Sequence, residues 1–274
     1  MSPAAQTASP PLLLLADKRE DPGYRPSYDI GAPDLGPAQH AACAAVADVP
    51  GWLRPQDALK LYELARFAPG PILEIGAYHG KSSTLMALAL RDAGSHVPLL
   101  SVDVDPVALR AAAATAARHG VADRVTYVRG TAAALFSAMP GYRPTTVFVD
   151  GDHALGGTRR DLDALRDRVP AGAVLLMHDY NDPRNADPAE PEYGVVEAVA
   201  GSWMRDDCSF GGVFGCCALF RRERGGPDPA LAAAPILDVV IRDSPRLQLL
   251  QRVRWPLGRR LRALGLRGGG RPAR

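Results

Sequence analysis

From Trp52 onward the chain alternates between two hydrophobic rhythms. Short continuous apolar runs at 72–75 (ILEI), 97–105 (VPLLSVDVD), 123–130 (DRVTYVRG), 145–153 (TTVFVDGDH) and 172–180 (GAVLLMHDY) read as buried strands. Between them lie helical stretches. Residues 54–68 put Ala58, Leu61, Tyr62, Leu64 and Ala65 on one side, and 106–120 start with a proline and end at Gly120. Residues 131–139, 158–169 and 192–204 are also helical in pattern. Such alternation predicts a parallel sheet covered by helices on both faces. The rhythm changes at 208–222 (CSFGGVFGCCALFRR), where two strands meet around glycines without a helix between them. The expected fold is α/β: a Rossmann-like, doubly wound, mostly parallel seven-stranded sheet with an antiparallel C-terminal hairpin.

The flanks read differently. Residues 1–50 are rich in Pro, Ala and Gly and are read as a partly ordered arm, with the folded domain at 51–224. Residues 225–274 form a Pro/Ala-rich linker and two basic amphipathic segments around Pro256, which would dock on the body or on a partner subunit, or else lie on a membrane surface. From Arg246 to the end there are nine arginines and no acid, so the net charge of +2 conceals a body near −7. An acidic body argues against nucleic acid as a partner. Four cysteines without zinc-like spacing fit reduced, buried thiols in the cytoplasm, with adjacent Cys216 and Cys217 pointing to opposite faces of a strand.

The loop after the first strand, GAYHGKSS (76–83), lies within one residue of a phosphate-binding P-loop. Its surroundings disfavour that reading. In a sheet of this kind ligands sit at the carboxyl ends of the strands, and those ends carry Glu74, Asp103, Asp105, Asp150, Asp152, His153, His178 and Asp179. Such a rim repels a triphosphate and suits a cationic ligand. G-x-G-x-x-G is absent as well, yet Asp103 ends the second strand, where an acid can hold ribose hydroxyls. A ribose without a phosphate, together with positive charge, describes S-adenosylmethionine. Because an unpartnered charge is expensive to bury, Glu74 and Asp103 are assigned to the ligand.

The segments ILEIGAYHGKSSTLMALAL, LLSVDVD, YVRGTAAAL, VFVDGDHALGGTRRDL and VLLMHDY resemble the class I S-adenosylmethionine-dependent methyltransferases. The likeness spans about residues 52–222 and is strongest to metal-dependent O-methyltransferases of the catechol type and of the sugar-modifying type from bacterial natural-product pathways. It implies that Glu74, Gly76, Tyr78 and Ser82 surround the methionine part of the cofactor. Asp103 would take the ribose, and Gly130, Thr131 and Ala132 would lie by the adenine.

Clustered carboxylates repel unless a cation or proton intervenes, and oxygen-rich ligands point to magnesium or another hard divalent ion. By the resemblance the metal ligands are Asp150, His178 and Asp179. His178 departs from the oxygen ligand usual there. It either softens the site towards manganese or another transition metal or has left the metal shell, with Asp152 in its place. His153 is the expected base and Asp152 the alternative. The acceptor would be a small-molecule hydroxyl, a sugar or other vicinal-oxygen group of a bacterial secondary metabolite, and homo-oligomerisation is left open. Two other readings remain: a metal-dependent oxidoreductase or hydroxylase on the same scaffold, and a non-catalytic S-adenosylmethionine-binding module.

Overall fold

Parallel strands β1 (Ile72–Ile75), β2 (Leu99–Asp103), β3 (Thr126–Arg129), β4 (Thr146–Val149) and β5 (Val174–Met177) precede antiparallel β6 (Cys208–Phe214) and β7 (Cys217–Arg222). They form one sheet in the order β3-β2-β1-β4-β5-β7-β6. The computed structural model describes residues 35–187 and 189–227. The basic segments after 245 and most of the expected arm lie outside the described residues.

Helices α1 (Pro37–Ala45), α2 (Pro55–Arg66), α3 (Lys81–Asp92) and α4 (Pro106–Arg118) cover one face of the sheet. Helices α5 (Ala132–Ala138), α6 (Leu155–Leu165), α7 (Val195–Ala200) and α8 (Met204–Asp207) cover the other. Local signals start several of them. Proline opens α1, α2 and α4, where the missing N–H costs nothing. Asp105 caps α4 by accepting from the Val107 amide, and Thr131 caps α5 by accepting from that of Ala134. Five residues expected on one side of α2 (Ala58, Leu61, Tyr62, Leu64 and Ala65) are all buried.

Three sequence expectations need correction. The body begins before residue 51, because α1 packs on α2 and α3 and places Ala42, Val46 and Val49 in the core. The helix expected over 192–204 is broken at Gly201 into α7 and α8. Cys216 is not in a strand: it occupies the tight β6–β7 turn with Gly215, so both it and Cys217 join the core on the α1–α4 face. That turn is held by Asp57, three residues after Arg54 at the start of α2. Its carboxylate accepts from the amides of Arg54 (2.8 Å), Cys216 (2.9 Å) and Cys217 (3.2 Å), and from the Cys216 thiol (3.1 Å).

The strand order reverses between β1 and β4, which opens the crevice where such sheets bind ligands. Gly76 leaves β1 there at φ 97°, and a Cβ on it would lie 2.0 Å from the Asp150 carbonyl oxygen. Only glycine tolerates both the conformation and the contact. Gly76→Ala should therefore destabilise the fold by about 2–4 kcal/mol and loosen the ends of β1 and β4 together. Thermal melting of the two proteins checks this, and a variant as stable as the parent would contradict it.

Candidate active site

The carboxyl ends of the parallel strands gather the acids read from the sequence, and most of them find partners within the protein. Glu74, in the middle of β1, is fully buried. Its register places it beside Ser101 on β2, whose hydroxyl donates to one carboxylate oxygen. The hydroxyl of Ser82, in the first turn of α3, donates to the other. Burial, aided by the charges of Asp150 and Asp103, pushes its pKa up to about 7 against the two hydroxyl bonds. Asp103 accepts from the amides of Ala77 and Tyr78 through Oδ2 (3.0 Å each) and from that of Asp105 through Oδ1 (2.8 Å). The premise that Glu74 and Asp103 lack protein partners therefore fails. Both clamp the glycine loop, Glu74 from beneath and Asp103 from the end of β2.

The loop itself is not a phosphate cradle. Lys81 turns away from it, its Nζ donating to the carbonyls of Ala47 (3.0 Å) and Gly51 (3.3 Å) and tethering the segment between α1 and α2. Gly80 is left-handed at φ 80°, and a Cβ there would come 2.7 Å from the Ala112 Cα on α4. Tyr78 also has a positive φ, 43°, and stands 47% exposed with its ring stacked beside Trp52. Gly130 ends β3 at φ 148°, the Thr131 hydroxyl is taken up in capping α5, and Ala132 is buried beneath.

One group of acids has a buried histidine, rather than hydroxyls or backbone amides, as its compensation. Among the described residues, no hydroxyl or backbone amide donates to the carboxylates of Asp150, after β4, and Asp179, after β5. Asp150 Oδ1 lies 2.8 Å from Nδ1 of buried His178, and Asp179 Oδ1 lies 3.4 Å from the same nitrogen. The first contact is an ion-pair approach, and His178 Nδ1 is buried with these two carboxylates as its close polar neighbours. Burial opposes a charge on His178, but its contacts with Asp150 and with Cys216 together outweigh it, and the imidazole pKa lies well above its usual value. Asp179 holds φ 53°, a strained value for a non-glycine residue. The ligand atoms of Asp150, His153 and His178 lie within 4.8 Å of one another.

His153 leans over this group, with Nε2 3.9 Å from Asp150 Oδ1 and 3.6 Å from Asp179 Oδ2. Both separations exceed a hydrogen bond. Its ring stacks on Tyr193 (5.7 Å, 8°), and the Arg184 guanidinium, paired with Asp182, lies 3.8 Å over the other ring centre. Arg184 and Tyr193 thus build a wall of the site, the former from a 3-10 turn at Pro183–Ala186 whose Asn185 donates to the Asp179 carbonyl. Asp152 stands apart: its side chain accepts from the Ala154 amide and pairs with Arg160 at 3.3 Å. His119 also lies elsewhere, joining the end of α4 to the Ala45 carbonyl.

Sequence reasoning missed Ser101, Asp57, Tyr193, Arg184 and Cys216 as parts of this region. Asp57 carried a signal as the third residue of a helix opening with proline, and the polar, proline-rich stretch between Tyr180 and Tyr193 carried one as a cover for the substrate or an ordinary surface loop. The others act through strand register or long-range packing.

The sheet order, the loop at the switch point and the acidic rim together define a class I methyltransferase fold. Residues 73–180 match the family model described as a methyltransferase domain. Many solved structures share the fold, three of them as follows. The O-methyltransferase TomG of Streptomyces achromogenes, involved in tomaymycin synthesis and solved with S-adenosylmethionine, is 23% identical, with a TM-score of 0.51 over 71% of this chain and 92% of its own. The Podospora anserina methyltransferase PaMTH1, bound to S-adenosylhomocysteine, is 20% identical, with a TM-score of 0.55 over 70% and 91%. A Bacillus cereus O-methyltransferase with the same ligand is 16% identical, with a TM-score of 0.53 over 69% and 93%. Residues 73–180 thus resemble a methyltransferase domain, and the chain has the fold of solved O-methyltransferases. No helix among the described residues is long and apolar enough to cross a membrane.

The shifted pKa of Glu74 has a consequence for stability. A carboxyl raised from 4.5 to about 7 binds its proton more tightly in the folded state. Its contribution is present below pH 4.5 and is lost as pH rises towards 7, a change of about 3 kcal/mol. Glu74→Gln keeps the shape and removes this titration. Relative to the parent it should gain stability progressively between pH 4.5 and 7, as read from denaturant midpoints across that range. A difference that does not vary with pH would contradict the assignment.

Proposed function

We propose that this protein is an S-adenosylmethionine-dependent O-methyltransferase that acts on a hydroxyl of a small molecule bearing a neighbouring oxygen, with a divalent cation assisting. The observation that carries the metal reading is the group at the ends of β4 and β5, where two carboxylates have one buried imidazole between them. A buried imidazole nitrogen faces one carboxylate oxygen at 2.8 Å and a second at 3.4 Å. Those separations suit ligands that share one ion, and like-charged acids need a cation between them. The residues fit a metal, and Asp150, His178 and Asp179 would hold it. Two carboxylates favour magnesium or manganese, and the imidazole shifts the preference towards manganese or a later transition metal.

In the proposed reaction S-adenosylmethionine supplies the methyl group, and the metal supplies Lewis acidity towards the acceptor oxygens. The glycine loop, clamped by Glu74 and Asp103, presents the first turn of α3 to the methionine end of the cofactor. Beyond the bonds it already accepts, Asp103 Oδ1 retains acceptor capacity for a ribose hydroxyl. Gly130, Thr131 and Ala132 would flank the adenine. His153 accepts the acceptor's proton at Nε2, which makes no hydrogen bond to either neighbouring carboxylate. Tyr193 holds the imidazole plane by stacking on it. With the hydroxyl deprotonated and aimed, positioning supplies much of the remaining rate. Asp152, bound to Arg160 and the Ala154 amide, is less suited to the base role.

Two measurements test the proposal. Isothermal titration should show S-adenosylmethionine binding without magnesium–ATP binding, because Lys81 is committed to backbone carbonyls; the reverse pattern would sink it. With a panel of vicinal diols and catechols as acceptors, His153→Ala should lower kcat by about 10²–10⁴-fold while leaving S-adenosylhomocysteine affinity unchanged. Asp150→Asn should abolish any dependence of the rate on added metal. Cofactor binding without turnover in the parent or in either variant would favour the non-catalytic binding module, and unaltered turnover in both variants would overturn the roles given to His153 and Asp150.

A further inference from the structure

The second metal-binding position, His178, is followed inward by a line of buried groups that the reaction itself does not use. His178 Nε2 lies 3.3 Å from Cys216 Sγ, and that sulfur lies 3.1 Å from Asp57 Oδ2. All three residues are buried. Donors and acceptors along this line can be assigned in order. A carboxylate only accepts, and Asp57 already takes backbone amides from Arg54, Cys216 and Cys217. The thiol hydrogen therefore goes to Asp57, and the sulfur lone pair is left to accept. Its neighbour must then be the donor, which puts a hydrogen on His178 Nε2. The remaining nitrogen, Nδ1, is the one that faces Asp150 and Asp179.

We propose that Cys216, oriented by Asp57, is a positioning residue that fixes His178 in the Nε2–H form and so presents Nδ1 to a divalent cation beside Asp150 and Asp179. This rests on the metal reading above. The geometry around the line is rigid. Gly215, at φ 61°, brings the β6–β7 turn against Asp57, where a Cβ would meet Oδ1 at 2.4 Å. Asn181 binds the same turn from the β5 side: its amide donates to the Cys216 carbonyl (2.9 Å) and its side chain to the Gly215 carbonyl (3.1 Å). Phe148 on β4 meets the His178 ring edge-on at 5.9 Å. Helix α2, the hairpin turn and the end of β5 are thereby locked around one imidazole. A ligand whose outer nitrogen is held in this way keeps both its tautomer and its direction, and loss of such a support typically weakens metal affinity 10–100-fold.

The test uses the full chain with Mn²⁺ titrated calorimetrically into the parent, Cys216→Ala and Cys216→Ser. The expected result is a 10–100-fold loss of affinity in the alanine variant. The serine variant should bind almost as the parent does, because its hydroxyl can accept from His178 and donate to Asp57. Thermal melts of the metal-free proteins separate this effect from misfolding, and the tautomer read by NMR remains decisive if the alanine variant does not fold. Nitrogen-15 NMR of the Zn²⁺-loaded parent should find His178 metallated at Nδ1 and protonated at Nε2. Equal Mn²⁺ affinity in all three proteins would overturn this inference and leave the metal reading intact. So would metallation at Nε2, or a thiolate-to-metal charge-transfer band on adding Co²⁺, which would make Cys216 itself a ligand. A parent that takes up no divalent ion would remove the metal reading and this inference together.

Discussion

The constraint that organises this protein is the convergence of acids at one edge of a parallel sheet. Strands that all run the same way end on the same side, so Glu74, Asp103, Asp150 and Asp179 are brought into one small volume. Carboxylates so placed repel one another and lose hydration. Much of the local structure consists of different answers to that cost. Hydroxyls from Ser82 and Ser101, helped by an elevated pKa, compensate Glu74. Backbone amides of the glycine loop compensate Asp103. At Asp150 and Asp179 the protein supplies no hydroxyl or amide donor among the described residues, and what remains is the imidazole of His178.

This division separates support from chemistry. Residues compensated by hydroxyls and backbone amides shape the loop, and those that share the His178 imidazole are the ones with binding capacity to spare. It also explains the composition of the region. A glycine at 76 lets the β1 loop reach the Asp150 backbone, and one at 215 lets the hairpin turn reach Asp57. Both close approaches serve the same two strand ends.

The wall formed by Arg184 and Tyr193 follows the same logic from the other side. Arg184 neutralises Asp182 and covers Tyr193, and Tyr193 in turn covers His153. The imidazole is flanked by an aromatic face and by two carboxylates at 3.6 and 3.9 Å. A polar, proline-rich stretch that could have been an ordinary surface loop is thus built into the site, anchored by Asn185 on the Asp179 carbonyl.

Local rhythm determined much of this protein. Continuous apolar runs, helical spacing and proline or capping residues are properties of neighbouring positions, so the α/β alternation, the terminal hairpin and the strand-end positions of Glu74, Asp103, Asp150, His178 and Asp179 were legible from sequence. The glycine loop and the paired motifs at 150–153 and 178–180 also pointed to the methyltransferase fold. Tertiary structure decided which acids were satisfied, because that depends on register and on distant segments. Ser101 meets Glu74 through the β1–β2 register, Lys81 reaches back to Ala47, and Asp57 meets Cys216 across 159 positions. It also turned Cys216 out of the expected strand and into the core beside His178. Spacing along a chain shows which residues lie near a strand end, but only packing determines whose partner each one becomes.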